Sequence, residues 1–160
     1  MTTTAAFGWG SSHLNTTPAG EVNLDPAEQF AVQQTLARHA FALDHGDLVA
    51  LEGTLTEDAT WTASIAGEVE QGPFIGRAAI LDLVREATEA QTEQRRHNLV
   101  NMVFHRAEAD TAVVWAYLML TSNAGGSPTV IATGFYTFTL RHAESEWRIA
   151  KVLVGLDNAA

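Results

Sequence analysis

The sequence predicts an α+β fold in which N-terminal helices pack on a curved, mostly antiparallel sheet. Apolar residues recur at helical spacing in the first half of the chain. The second half holds four runs rich in β-branched and aromatic residues (97–106, 111–122, 129–141 and 146–155). Short polar turns separate these runs at Ala109-Asp110, Asn123 to Pro128 and Ala143 to Glu146. Helices followed by a meander of strands lay the helices against the concave face of the sheet.

Residues 1–24 are rich in Thr, Ser, Gly and Asn and lack periodicity, so they read as a flexible arm. Phe7, Trp9 and Leu14 are its apolar exceptions. A single domain then spans 25–160. Asp25-Pro26-Ala27-Glu28 is a helix start, with an N-cap Asp, Pro in the first turn and Glu three residues after the cap. Val32, Leu36, Ala40 and Leu43 continue it as an apolar stripe, and Gly46 stops it. Asp47 caps a short second helix through Leu55. Ala59 to Ile65 alternates like a strand, Gly67 to Gly76 reads as turns, and Arg77 to Ala90 as a third helix with Ile80, Leu83, Val84 and Ala87 on one face.

Composition narrows the function classes. At 160 residues the chain holds one sizeable core. A formal charge of −10 opposes a polyanion, so no nucleic-acid partner is expected. No cysteine is present, which removes disulfides, thiolate nucleophiles and zinc–thiolate sites. No apolar run approaches the ~20 residues that span a bilayer, so no membrane partner is expected. The N-terminus lacks a basic region followed by a continuous apolar one, so a cytoplasmic protein is expected.

Asp44, near the end of the first helix, and His97, near the start of a strand, are the leading chemical pair. A carboxylate fixes the tautomer of an imidazole and stabilises its imidazolium, which makes the imidazole a usable base. His39 is five residues before Asp44, about 140° round an ideal helix, so the two share a face only if the helix distorts. His97 and His105 are about 27 Å apart along a strand and cannot ligate one metal. No metal-ligand spacing and no cofactor motif occurs elsewhere. His45 and His142 fall in turns. Gly72-Pro73-Phe74-Ile75-Gly76 lacks the Lys and the spacing of a phosphate loop. The serines have no His at informative spacing.

Trp61, Trp115, Tyr117, Phe135, Tyr136 and Phe138 are candidate walls of a substrate site, although strand aromatics more often fill a core. Trp115, Tyr117 and Met119 alternate with Ala116, Leu118 and Leu120, so one of these sets faces the cavity. Tyr117 is the phenol expected to bind a substrate oxygen.

The order of elements, with Ala42-Leu43-Asp44-His45-Gly46-Asp47, Glu57-Asp58-Ala59-Thr60-Trp61, Gly72 to Arg77, Arg96-His97-Asn98, Gly134-Phe135-Tyr136 and Trp147-Arg148-Ile149, resembles the SnoaL-like branch of the nuclear-transport-factor-2-like superfamily. Asp44 with His97 is similar to the Asp–His dyad of scytalone dehydratase, bile-acid 7-alpha-dehydratase and hexachlorocyclohexane dehydrochlorinase. The resemblance implies a conical α+β barrel, an enclosed apolar pocket and cofactor-free elimination. It matches His39 to a pocket Tyr, so His39 is a third catalytic candidate whose chemistry departs from the pattern. It brings Asn123 near the pocket mouth, where scytalone dehydratase carries a second His.

The expected function is a lyase, a dehydratase or dehydrohalogenase acting on an apolar cyclic or polyketide-like small molecule. A polyketide cyclase or isomerase is the first alternative. A steroid-isomerase mechanism is disfavoured, because Thr62, Ala63 and Ser64 stand where its Asp base would be. A non-catalytic binding or assembly module is the second alternative. The resemblance also implies a homo-oligomer, a trimer in preference to a dimer.

Overall fold

The computed structural model describes residues 19–67 and 69–159. The elements run α1 (Pro26–His45), α2 (Leu48–Thr54), β1 (Leu55–Ile65), β2 (Val69–Ile75), α3 (Arg77–Glu89), β3 (Gln94–Ala107), β4 (Thr111–Ala124), β5 (Ser127–Ala143) and β6 (Glu146–Leu156).

Local signals set the helix ends. Asp25 Oδ1 accepts the Glu28 N–H at 2.9 Å, capping α1. Gly46, at φ 61°, turns the chain out of α1 in the left-handed region. Asp47 Oδ1 accepts the Ala50 N–H at 2.9 Å and starts α2. The buried stripe of α1 contains Val32, Leu36 and Ala40. Its first turn is tied to β6, because Trp147 Nε1 donates to Glu28 Oε2 at 2.5 Å. Thr35 Oγ1 donates to the Trp147 carbonyl at 2.9 Å.

The six strands form one open sheet in the order β2-β1-β6-β5-β4-β3, curved round the three helices. β1 and β6 pair in parallel, and every other pair is antiparallel. Along β4, Ala112, Val114, Ala116, Leu118 and Leu120 are buried towards the helices. Phe138 and Leu140 of β5 and Ile149, Val152 and Val154 of β6 complete that layer.

Two expectations are corrected. The segment Gly67 to Gly76, read as turns, contains β2. Gly72-Pro73 interrupts its pattern, and β2 survives as an edge strand paired on one side with β1. The chain is also tied down before Asp25. Asn23 N–H donates to the Ala107 carbonyl at 2.8 Å, and Ala107 N–H to the Glu21 carbonyl at 2.9 Å. These are backbone bonds, which leave no periodic trace in side chains. Residues 1–18 of the expected arm, with Phe7, Trp9 and Leu14, lie outside the described residues.

Candidate active site

Asp44 occupies the last turn of α1 and points at the first residues of β3. Gln94 Nε2 donates to the Asp44 carbonyl at 2.9 Å and ties the helix end to the strand. Gly46 is needed just beyond. A Cβ there would stand 2.7 Å from Thr88 Cγ2, so the turn and α3 close on a bare backbone.

Asp44 and His97 meet. Asp44 Oδ1 accepts the backbone N–H of His97 at 2.9 Å and faces its Nδ1 at 2.8 Å. A carboxylate only accepts, so Nδ1 carries the proton and the lone pair of the neutral ring lies on Nε2. The Asp44 side chain is 8% exposed and that of His97 is 21% exposed. The ring is therefore held from the buried side and open on the other. It lines a cleft of about 370 Å³ between α1 and β3, with Ala37, Ala40, Phe41, Leu99 and Met102 as apolar walls. Arg96, Asn98 and His45 add polar edges. A larger groove of about 770 Å³ runs past Phe30, Arg38 and Trp147 and contains neither Asp44 nor His97.

His39 is buried on another side of α1, consistent with its angular offset from Asp44. Its Nδ1 lies 3.0 Å from Thr54 Oγ1, and that hydroxyl donates to the Leu51 carbonyl at 2.8 Å. Thr54 thus accepts, and His39 is the Nδ1–H tautomer. Burial, with the neighbouring His97 second, pulls its pKa down to about 3. It is a neutral imidazole in the working pH range.

The structure resolves the strand parity that the sequence leaves open. Ala116, Leu118 and Leu120 face the helices. Trp115, Tyr117 and Phe135, expected as pocket walls, lie on the outer face of the sheet and do not line the dyad cleft. Trp115 stacks on His105 at 3.8 Å and meets Phe135 edge-on at 5.5 Å. Tyr117 is 51% exposed. Asn123 is exposed at the far end of β4, opposite Gln94 and Pro128. It also lies outside the cleft. Trp61 is half-buried with Phe74 against the core, at 5.8 Å. Both sets of β4 residues are apolar, which is why alternation alone does not choose the inner face.

Thr54, the partner of His39, is marked by no sequence pattern, and Tyr136, a candidate wall, does not line the dyad cleft. Tyr136 is buried, stacks on Phe138 at 4.7 Å, and feels the Asp44 carboxylate. Among the described residues, no group of three or more His, Cys, Asp and Glu is arranged to hold a metal ion. No helix among them is long and apolar enough to cross a membrane.

Residues 27–152 match the family model described as a SnoaL-like domain. The chain belongs to the SnoaL-like domain family. Solved structures agree with this SnoaL-like fold. Aln2 from a Streptomyces species is 23% identical, with a TM-score of 0.73 over 86% of this chain and 95% of that one. A protein from Catenulispora acidiphila in complex with S-DNPA is 24% identical, with a TM-score of 0.72 over 83% and 96%. An NTF2-like protein with a cystatin-like fold from Novosphingobium aromaticivorans is 22% identical, with a TM-score of 0.67 over 84% of each chain. No curated protein matches the SnoaL-like chain.

Proposed function

We propose that this SnoaL-like domain is a cofactor-independent lyase that eliminates water or a halide from an apolar cyclic or polyketide-like molecule. The family includes polyketide cyclases and dehydratases. The observation that carries the reading is His97. Its Nδ1–H is engaged by Asp44 at 2.8 Å, and its ring opens on a cleft of about 370 Å³. Such a ring accepts a proton at Nε2 and shares the resulting positive charge with the carboxylate.

In the elimination, Nε2 removes a proton from carbon. The C–H electron pair becomes the new C=C bond, and the leaving group departs with its own pair. When that group is hydroxide, the imidazolium returns the proton and water leaves. Deprotonation without a leaving group would give isomerisation or ring closure instead, through the same two residues. His39, neutral, buried on another side of α1 and turned to Thr54, takes no acid role in this step.

The test is loss of a carbon-bound proton. Cyclic β-hydroxyketones are incubated in heavy water and followed by NMR for elimination and for deuterium entry. Elimination by the wild type and none by His97→Gln supports the lyase. Deuterium entry or rearrangement without elimination supports the isomerase alternative. Full turnover by His97→Gln removes the assignment. The reading also includes self-association, because Val100, Val103, Tyr117, Met119 and Val130 form an exposed apolar band on the outer face of the sheet.

A further inference from the structure

Acidic residues outnumber basic ones in this chain by 19 to 9, so an arginine readily finds a carboxylate. Arg77, Arg85, Arg95, Arg106, Arg141 and Arg148 each pair with one. Among the described residues Arg38 and Arg96 pair with none. Each of these two lines a groove beside α1. Arg38 lies on the larger one, and Arg96 on the cleft that holds Asp44 and His97.

The surroundings of Arg96 leave its charge unanswered. It precedes His97 on β3, an edge strand of the sheet. Its Nη1 donates to the Arg95 carbonyl at 3.2 Å, which leaves most of the guanidinium fork open. The acids nearby are occupied. Glu93 accepts from Arg95 Nε at 2.7 Å, and Asp44 Oδ1 faces both the backbone N–H and the ring Nδ1 of His97. Across on β4, Thr121 stands opposite Arg96 between Leu120 and Ser122, all uncharged. Asn98 donates Nδ2 to the Met119 carbonyl at 2.9 Å, and His45 commits its Nδ1–H to the Phe41 carbonyl at 2.8 Å. Arg96 is thus the fixed cation of the cleft.

The cleft favours a single negative charge. Asp44 and His45 belong to the last turn of α1, where the helix dipole has its negative pole. A doubly charged phosphate would meet that pole and the Asp44 carboxylate with one cation to balance it. A carboxylate carries one charge and matches the guanidinium fork with two parallel hydrogen bonds. Ala37, Ala40, Leu99 and Met102 remain as apolar wall for the rest of the ligand.

We infer that Arg96 binds a carboxylate, so that the cleft takes a cyclic molecule bearing an acid group remote from the carbon presented to His97. The chemistry after binding rests on the lyase reading above; the anion site does not. The acid stays ionised and takes no part in the bond changes. Its contact with Arg96 is the same before and after proton abstraction. Arg96 therefore selects the ligand and fixes which carbon meets Nε2.

The test compares 1-tetralone-6-carboxylate with its 6-carboxamide, which differ in charge and little in size. Affinities are measured by NMR titration with wild type, Arg96→Gln, Arg96→Lys, Arg38→Gln and His97→Gln, alongside deuterium exchange at C2. Wild type should bind the carboxylate about 10-fold more tightly than the carboxamide. Arg96→Gln should bring the two to equal affinity, and Arg96→Lys should keep part of the difference. Arg38→Gln and His97→Gln should keep all of it, and exchange should be lost in His97→Gln. Arg96→Gln should melt with wild type, because no ion pair is lost. Equal affinities in wild type, a preference that survives Arg96→Gln, or one abolished by Arg38→Gln overturns the inference. So does the lack of saturable binding of either ketone. An Arg96-dependent preference without His97-dependent exchange upholds the anion site and removes the base.

Discussion

One carboxylate oxygen of Asp44 receives both the backbone N–H of His97, at 2.9 Å, and its ring Nδ1, at 2.8 Å. The residue is held at two points. Its strand position and its ring orientation depend on the same partner, so the site is built into the junction between α1 and β3. Removing Asp44 and removing the His97 ring therefore have different structural costs.

Asp44→Ala leaves the His97 N–H without its acceptor and frees the ring. It should lower stability by about 1–3 kcal/mol and cut elimination by about 10²–10⁴. His97→Gln keeps the backbone bond to Asp44 and removes the base. It should show a similar loss of turnover with stability close to wild type. Urea denaturation beside the NMR assay checks both; equal stability losses would show that the ring contact, not the backbone one, holds the junction.

What was legible in the sequence follows from how local each signal is. Asp25 and Gly46 marked the ends of α1 because a cap acts within one turn. The strand runs were legible from composition, and Asp44 with His97 from their places at two element ends. β2 was not, because Gly72-Pro73 looks like a turn whether or not β1 is beside it. Tyr117 and Leu118 are both apolar enough for an interior. Packing on the helices, a contact between distant segments, decides that Leu118 is inside. The Thr54–His39 bond joins α2 to α1 and has no periodic signature.

His39 gives acid sensitivity a defined window. Its folded pKa is about 3, against an ordinary 6.5. Between those values the unfolded chain binds a proton that the folded chain refuses, so stability rises with pH and is lost on acidification. Going from pH 7 to pH 5 should cost about 2 kcal/mol. Asp58, held below the usual carboxylate range by Thr56 and Arg141, contributes only at lower pH. Glu93, held down by Arg95 and Thr92, behaves likewise. His39→Phe should flatten the slope between pH 7 and 5 in calorimetry. An undiminished slope would assign the sensitivity to another group. Thr54→Val should cost about 1–3 kcal/mol at pH 7 by stranding the His39 Nδ1–H.

Gly46 is the tightest backbone requirement near the site. Gly46→Ala combines an unfavourable left-handed conformation, at about 1–2 kcal/mol, with a Cβ 2.7 Å from Thr88 Cγ2. Thr88→Ala removes the second contribution. The double variant should recover part of the loss, and a double-mutant cycle in urea should give a coupling of about 0.5–2 kcal/mol. Strict additivity would mean that α3 moves away without cost.

The outer face of the sheet carries the remaining prediction. Val103, Tyr117 and Val130 are 53, 51 and 56% exposed on it, in a chain whose formal charge is −10. Two copies repel through that charge, so an uncharged apolar band is the surface on which association costs least. Light scattering should give a multiple of 17.2 kDa, with three copies preferred. Val103→Glu with Tyr117→Glu places two more negative charges in the band and should yield monomer. Because Tyr117 lies outside the cleft that His97 lines, this variant should keep its fold and its proton-abstraction chemistry. A wild type that runs as a clean monomer would leave the band free for another partner and remove self-association from the reading. A charged variant that stays assembled would move the contact to a different face.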